Sequence, residues 1–342
     1  MGAYIGPRVA RPEYGRGLLR ALPEAHFERP VVLTQPEPWA MVRDRFPADR
    51  TCARFVTTME LADVEAATAS LPGASAVFGI GGGSAVDHAK YVAWRTGRPL
   101  ILVPTILSVD AAYTKAIGVR EGARVRYVGT VYPERLLIDY DLLQAADPVL
   151  NRAGAGDVLS IFTALWDWRE AGNRLGEPYD AAIAAESQAL LERLFEGAAA
   201  IGACSEEGLR LLSELYAGEV RLCEIVGNAR PEEGSEHYFA YALEHQTRRH
   251  YLHGALVGMG VLLAGAYQGQ DVGPVKRLLH DVRLDASFRA VGTTRDEVRR
   301  CLLSIGDYVA RETQLLPGVF HFRGGIDARD AERVLDAAGL DT

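Results

Sequence analysis

The chain of 342 residues has only four cysteines, Cys52, Cys204, Cys223 and Cys301, and no CxxC pair. That pattern argues against a sulfur-based zinc site and against a disulfide framework. A cytoplasmic compartment is the expectation. There is no run of eighteen apolar residues, so no transmembrane helix is expected. The opening MGAYIGPRVARPEYG lacks an apolar h-region, and Gly6 stands where a myristoylation signal has Ser or Thr. Neither secretion nor lipidation is therefore expected. Basic excess is missing too: 37 Lys plus Arg face 45 Asp plus Glu, a formal net charge of −8. A nucleic-acid binder would need a basic face, so none is expected as a partner. Internal repeats and low-complexity tracts are absent, and so is a GxGxxG fingerprint.

What is present is an ordinary globular composition, 48% hydrophobic and 24% charged. The length suits about two domains. Four short apolar runs read as buried strands: Pro30–Thr34, Ala53–Thr57, Ala76–Ile80 and Pro99–Val103. Helical stretches at Val64–Ala69 and Ser84–Arg95 lie between them. Strand–helix alternation predicts a parallel sheet covered on both faces. Arg124–Tyr127 and Arg135–Ile138 read as strands that extend or edge it, the first within a surface hairpin. From Asn151 onward the pattern turns helical. Val158, Leu159, Phe162, Leu165 and Trp166 share one apolar face, and helices are expected at Ala181–Phe195, Glu206–Ile225, His237–Thr247, Ala255–Ala266 and Arg295–Glu312. The predicted architecture is an α/β, Rossmann-like domain over residues 1–150 and an all-α domain over 151–342.

Three segments carry chemistry. Phe78-Gly79-Ile80-Gly81-Gly82-Gly83-Ser84 runs from a strand through three glycines into a helix. Glycines let backbone N–H groups approach a ligand, and the helix N-terminus favours a pyrophosphate. A plain βα turn with Ser84 as helix cap explains the same residues. After the fourth strand comes Thr105-Ile106-Leu107-Ser108-Val109-Asp110, two hydroxyls and a carboxylate at the strand edge where α/β proteins bind ligands; loop capping is the plainer account. Finally, Asp157, His237 and His253 each read as lying at a helix start, with donor types that suit a metal. Spacing alone leaves His237 and His253 open as ordinary capping or core residues. His245 and His250 lie beside Arg248 and Arg249 and read as a solvated turn.

Taken in order, these segments resemble the iron-containing alcohol dehydrogenase and dehydroquinate synthase superfamily, and within it the glycerol-1-phosphate dehydrogenases. The carrying residues are Gly81-Gly82-Gly83-Ser84-x-x-Asp87-x-Ala89-Lys90-Tyr91, Val103-Pro104-Thr105-x-x-Ser108-x-Asp110, Ala153-Gly154-x-Gly156-Asp157-x-Leu159-Ser160, Gly234-Ser235-Glu236-His237 and Leu252-His253-Gly254. The resemblance spans about residues 17 to 320. It implies a dehydroquinate synthase-like fold and a divalent metal on Asp157, His237 and His253, zinc first, with iron or nickel as alternatives. It implies NAD or NADP on Gly82, Gly83, Ser84, Ala85, Val86, Asp87, Thr105, Ile106, Leu107, Ser108 and Thr114. It implies substrate contact at Asp110, with Lys115 and Tyr241 as further candidates at the catalytic site.

The implied reaction is NAD(P)-linked oxidation of a small polyol phosphate of the glycerol 1-phosphate type, or reduction of its ketone. A homo-oligomer is an expectation by analogy only. Three departures stand out. Tyr241 replaces a second family histidine. Ala111-Ala112-Tyr113-Thr114-Lys115 follows Asp110 and brings a new cation. Thr34-Gln35-Pro36 lacks the acidic residue that would hold an adenosine ribose, which leaves NAD against NADP open. A sugar-phosphate cyclase that uses NAD transiently, a dehydrogenase of an unphosphorylated polyol such as glycerol, and a non-enzymatic descendant are the competing readings.

Overall fold

The computed structural model describes residues 11–122 and 124–340. The chain forms two compact units, one ending at Asn151 and the other starting at Arg152.

The first unit holds β1 (Pro12–Gly15), β2 (Pro30–Thr34), β3 (Cys52–Phe55), β4 (Ala76–Gly81), β5 (Leu100–Pro104), β6 (Ala116–Glu121), β7 (Arg124–Thr130) and β8 (Arg135–Asp139). Its helices are α1 (Pro36–Val42), α2 (Leu61–Ala69), α3 (Gly83–Thr96) and α4 (Tyr140–Ala145). Six strands form one sheet in the order β1-β8-β5-β4-β2-β3, and every pairing in it is parallel. Both faces are apolar, which is why β2, β4 and β5 are unbroken hydrophobic runs. Val32, Phe78, Ile80, Ile101 and Val103 face a cluster with Phe27, Val42 and Phe46. On the opposite face α3 lies close: a Cβ on Gly79 would stand 2.8 Å from the Ala89 Cβ.

Two expected strands behave differently. Arg124–Thr130 does not edge the main sheet; it pairs antiparallel with β6 as a separate ribbon. Arg135–Asp139 lies inside the sheet, between β1 and β5. The second strand also starts and ends earlier than expected, at Cys52 and Phe55, because its register follows β2 from Val31↔Cys52 to Thr34↔Phe55.

α5 (Pro148–Val158) carries the chain into the second unit, which is helical. There follow α6 (Ile161–Leu175), α7 (Ala181–Glu196), α8 (Ala198–Gly202), α9 (Glu206–Val226), α10 (Ser235–Thr247) and α11 (His253–Gln268). α12 (Gly273–Asp281), α13 (Phe288–Val291), α14 (Arg295–Arg311), α15 (Val319–Phe322) and α16 (Ala328–Ala338) complete it. Every residue of α11 from Gly254 to Gln268 is buried, the mark of a helix apolar all round and packed on all sides. The apolar face expected across Val158–Trp166 is broken, because α5 ends at Val158 and α6 begins at Ile161. Trp168, not Trp166, is the fully buried tryptophan of α6.

Candidate functional site

Within the first unit, β4 has β2 on one side and β5 on the other. The chain steps outward from β2 to β3, then returns to β4 and steps the other way, so the switch of strand order falls between β2 and β4. Ligands of open α/β sheets bind at the carboxyl ends of strands beside such a switch. The three glycines stand there. Gly81 has φ +151 and a Cβ on it would stand 1.9 Å from the Gln35 Oε1. The side-chain oxygen of Gln35 is buried and has no hydrogen-bond partner. Gly82 is the N-cap of α3 and no side chain caps the helix; Ser84 is exposed and is not the cap that the plainer account of the turn required. Its first backbone N–H groups are therefore available to an anion. These features suit a pyrophosphate.

Behind β5, Thr105 and Ser108 are buried and Ile106 abuts the glycine turn. A Cβ on Gly82 would stand 2.9 Å from the Ile106 Cδ1, and one on Gly83 3.1 Å from the Val109 Cγ1. The turn and the Thr105–Val109 loop are thus brought together. Asn151 fixes that loop: its Oδ1 accepts the Leu107 N–H at 2.9 Å while its Nδ2 donates to the Leu143 carbonyl at 2.8 Å. The Ala85 and Val86 side chains lie in the core, so any contact they make is through backbone.

Asp87 faces inward. Its carboxylate pairs with the Lys90 Nζ at 2.7 Å, and Lys90, with no exposed surface, also donates to the Ala111 carbonyl at 2.9 Å. Burial raises the Asp87 pKa, and Lys90 and the Gly118 N–H oppose that. The pair thereby ties α3 to the short helical turn Asp110–Ala112 and to β6. Asp110, Thr114 and Lys115 are half-buried on the segment it holds.

In the second unit three helices deliver the other candidates. Asp157 is the penultimate residue of α5, a helix end and not the helix start expected of it. Gly154 and Gly156 do not break this helix. They permit close contact: a Cβ on Gly156 would stand 2.0 Å from the Gly254 carbonyl oxygen. His253 is the first residue of α11 and His237 the third of α10. The Asp157 Oδ1 lies 3.4 Å from the His237 Nε2 and 3.3 Å from the His253 Nε2. All three donor atoms lie within 4.8 Å of one another. Tetrahedral zinc, with bonds of about 2.0–2.2 Å, sets its ligand atoms roughly 3.3–3.5 Å apart. One carboxylate and two imidazoles at this spacing fit a divalent ion. His253 is 29% exposed while the other two are nearly buried, which leaves one open side.

Burial would push the Asp157 carboxyl up, but the His253 charge and hydrogen bonds from His237 and His253 hold it well below the usual carboxylate range. Burial alone would depress His237; its bonds to Asp157 and Glu236 hold it well above the ordinary histidine value.

The carboxylates behind His237 have roles that the sequence alone does not reveal. Glu236 is fully buried. Its Oε1 takes the Gly234 N–H at 2.6 Å and contacts the His237 Nδ1 at 2.9 Å, and its Oε2 accepts from the Thr163 hydroxyl at 2.5 Å. An acceptor at Nδ1 fixes the tautomer that turns Nε2 to a metal. Asp167 sits behind it and accepts from Ser235 N–H, Val319 N–H and Gln268 Nε2 at 2.8, 2.8 and 3.0 Å. Burial, with Glu236 nearby, pushes it up to about 7 against those hydrogen bonds. The Tyr241 ring centroid is 5.9 Å from that of His237. His245 is not in a solvated turn: it is half-buried, its ring 5.7 Å from Tyr308, while His250 is exposed.

The fold and these two sites define a metal-assisted, nucleotide-linked oxidoreductase. The model of the family described as iron-containing alcohol dehydrogenase matches residues 41–147. A glycerol-1-phosphate dehydrogenase [NAD(P)+] of Hyperthermus butylicus is 34% identical over 82% of this chain and 77% of its own length. Another of that name from Aeropyrum pernix is 32% identical over 72% and 70%. A solved structure of a probable glycerol dehydrogenase from Sinorhizobium meliloti shares the fold, with a TM-score of 0.71 at 19% identity over 96% of both chains. The chain belongs to the iron-containing alcohol dehydrogenase family, and the Hyperthermus and Aeropyrum relatives carry the name glycerol-1-phosphate dehydrogenase. Among the described residues no helix is long and apolar enough to cross a membrane.

Proposed function

We propose that the protein catalyses the reversible, NAD(P)-linked oxidation of glycerol 1-phosphate to dihydroxyacetone phosphate. Glycerol 1-phosphate gives a hydride to NAD(P)+ and releases a proton. The observation that carries this reading is the Asp157, His237 and His253 cluster at ligand spacing in a chain with relatives of that activity. We assign zinc to the cluster, since two imidazoles and one carboxylate with an open side suit it. When bound, the metal would supply Lewis-acid polarisation of the reacting oxygen and the nicotinamide would carry the hydride.

The chain's own residues bind and orient. The N–H groups of Gly82 to Ala85 at the start of α3 hold the pyrophosphate, with Val86 and Asp87 in the turn behind them, and Thr105, Ile106, Leu107, Ser108 and Thr114 line the cofactor. Asp110 orients a substrate hydroxyl, and Lys115 offers a point charge to phosphate. Gln35 carries no charge to repel a 2′-phosphate, which supports use of both NAD and NADP. Four free cysteines are in keeping with a cytoplasmic enzyme.

The test is absorbance at 340 nm with zinc-loaded protein, dihydroxyacetone phosphate and NADH or NADPH, with a chelator-treated control. Cofactor oxidation that the chelator abolishes is the expected result. Bound metal without oxidation overturns the reading, and copurified NAD without net absorbance change would favour a cyclase.

A further inference from the structure

An open cavity of about 590 Å³ lies on the second unit, between α12, the C-terminal end of α16 and the loop that leads into α13. None of Asp157, His237 and His253 lines it. Its floor is apolar: Leu262 of α11, Leu279 of α12 and Leu284 are buried side chains that reach it. Its rim is charged. Lys276 and Arg283 are exposed cations, and Asp285 is the one carboxylate among the lining residues. In a chain of net charge −8, a rim with more positive than negative charge stands apart.

Neither cation is committed to a carboxylate. The Lys276 Nζ donates to the Ala337 carbonyl at 2.8 Å. That bond pins the ammonium at the end of α16 and leaves two N–H groups for another acceptor. The Arg283 guanidinium has no hydrogen bond or ion pair among the described residues. Asp285 is turned to its own loop, where its Oδ1 accepts the Ser287 N–H at 2.8 Å, and His280 faces Asp281 at 3.1 Å. Arg283 also stands at φ +56, directly after the α12 cap Val282. That left-handed position favours glycine, and strained non-glycine residues collect at functional positions. The floor has a second neighbour. The Leu284 Cδ2 lies 3.1 Å from where a Cβ on Gly156 would stand, and the Leu279 Cδ2 3.4 Å from one on Gly258. Those glycines sit on α5 and α11, the helices that carry Asp157 and His253.

We propose that this cavity is a regulatory site for a small organic anion, a carboxylate or phosphate monoester with a short apolar body. Arg283 offers a planar fork to the anionic head and Lys276 a point charge. The apolar body lies on Leu262, Leu279 and Leu284, where leaving water stabilises it. An occupant that presses on Leu279 and Leu284 acts on the α5–α11 packing that sets the spacing of Asp157 and His253. Anion binding and metal binding are then coupled, each changing the affinity of the other by the same factor.

The experiment titrates protein isotope-labelled at its leucine methyl groups with hexanoate, hexyl phosphate, hexanol and inorganic phosphate, followed by NMR. Saturable shifts at Leu262, Leu279 and Leu284 are expected for hexanoate or hexyl phosphate, with a dissociation constant of about 1 mM or tighter. The tighter of the two identifies the headgroup. Hexanol, which lacks the charge, and inorganic phosphate, which lacks the body, should each bind about tenfold more weakly or worse. Arg283→Gly suits the backbone at φ +56 and should unfold no earlier than wild type. It and Lys276→Met should each weaken anion binding by about threefold to tenfold. In competition with a chromogenic chelator, a saturating anion should change zinc affinity by about threefold or more, and Arg283→Gly should remove that change. Absence of saturation below about 10 mM, hexanol binding as well as hexanoate, or both variants binding as wild type does would overturn the site. Binding that leaves zinc affinity unchanged would overturn its regulatory role.

Discussion

Gly156 and Gly254 interlock α5 with α11. A Cβ on Gly156 would stand 2.0 Å from the Gly254 carbonyl oxygen, and one on Gly254 would stand 1.8 Å from that of Ala153. Each glycine adjoins a metal candidate, Asp157 on one helix and His253 on the other. The close backbone approach is what lets the short Asp157 side chain come within 3.3 Å of the His253 ring. Gly254→Ala puts a methyl into backbone, which cannot step aside. We expect a loss of about 3 kcal/mol in urea unfolding and substoichiometric metal in the purified protein. A Gly254→Ala protein with wild-type stability and full metal would refute this account.

Glu236→Gln keeps the shape of the side chain but removes its charge. The Glu236 Oε1 serves both the Gly234 N–H and the His237 Nδ1. Carboxylates behind metal-ligating histidines contribute about 10–100-fold to metal affinity. Competition between the apoprotein and a chromogenic zinc chelator should show a loss of that size in Glu236→Gln. An unchanged zinc affinity would mean that Glu236 only caps α10.

Lys90 is buried with Asp87 as its charged partner. Removing one member of a buried pair leaves an uncompensated charge, at about 3–5 kcal/mol, whereas replacing both can be close to neutral. Lys90→Met should therefore lower unfolding stability by about that amount. Lys90→Met with Asp87→Leu should recover most of it. Because Lys90 also donates to the Ala111 carbonyl, the double variant should still loosen the Asp110 segment, read as faster amide exchange there. A double variant as unstable as Lys90→Met alone would show that packing, not charge, sets the effect.

The parts of the molecule that are legible in sequence are those with a repeated physical signal. β2, β4 and β5 are apolar on both faces and read directly as buried strands. β1 carries no such signal: Pro-Glu-Tyr-Gly holds its edge position by pairing with β8 and by the Glu13–Arg135 ion pair, a partner more than a hundred residues away. β6 was hidden by Gly118 at its centre, where a Cβ would stand 3.0 Å from the Asp87 carboxylate. The glycines before Asp157 look like a helix start in sequence and prove to be packing glycines inside one. Asp157, His237 and His253 could be named together only from the family order of motifs, since spacing alone left the histidines open. Glu236 stands in a carrying motif, but its role, like that of Asp167, was silent because a sequence does not show which way a carboxylate turns.

His88 contributes destabilisation in acid. It lies on α3 with 5% of its surface exposed, and neither ring nitrogen has a hydrogen-bond partner. Burial depresses its pKa to about 4, against about 6.5 in an unfolded chain. Between those values the unfolded state binds a proton that the folded state refuses. The contribution of His88 to stability is then flat above about pH 6.5 and falls as pH drops from 6.5 toward 4. By pH 5 the loss from this residue is about 2 kcal/mol. His88→Leu removes the titration and leaves no polar atom unpaired. Its stability relative to wild type, from urea unfolding at pH 7.5 and pH 5, should rise by about 2 kcal/mol at the lower pH. A difference that stays the same at the two pH values would mean that His88 is solvated, or already partnered, in solution.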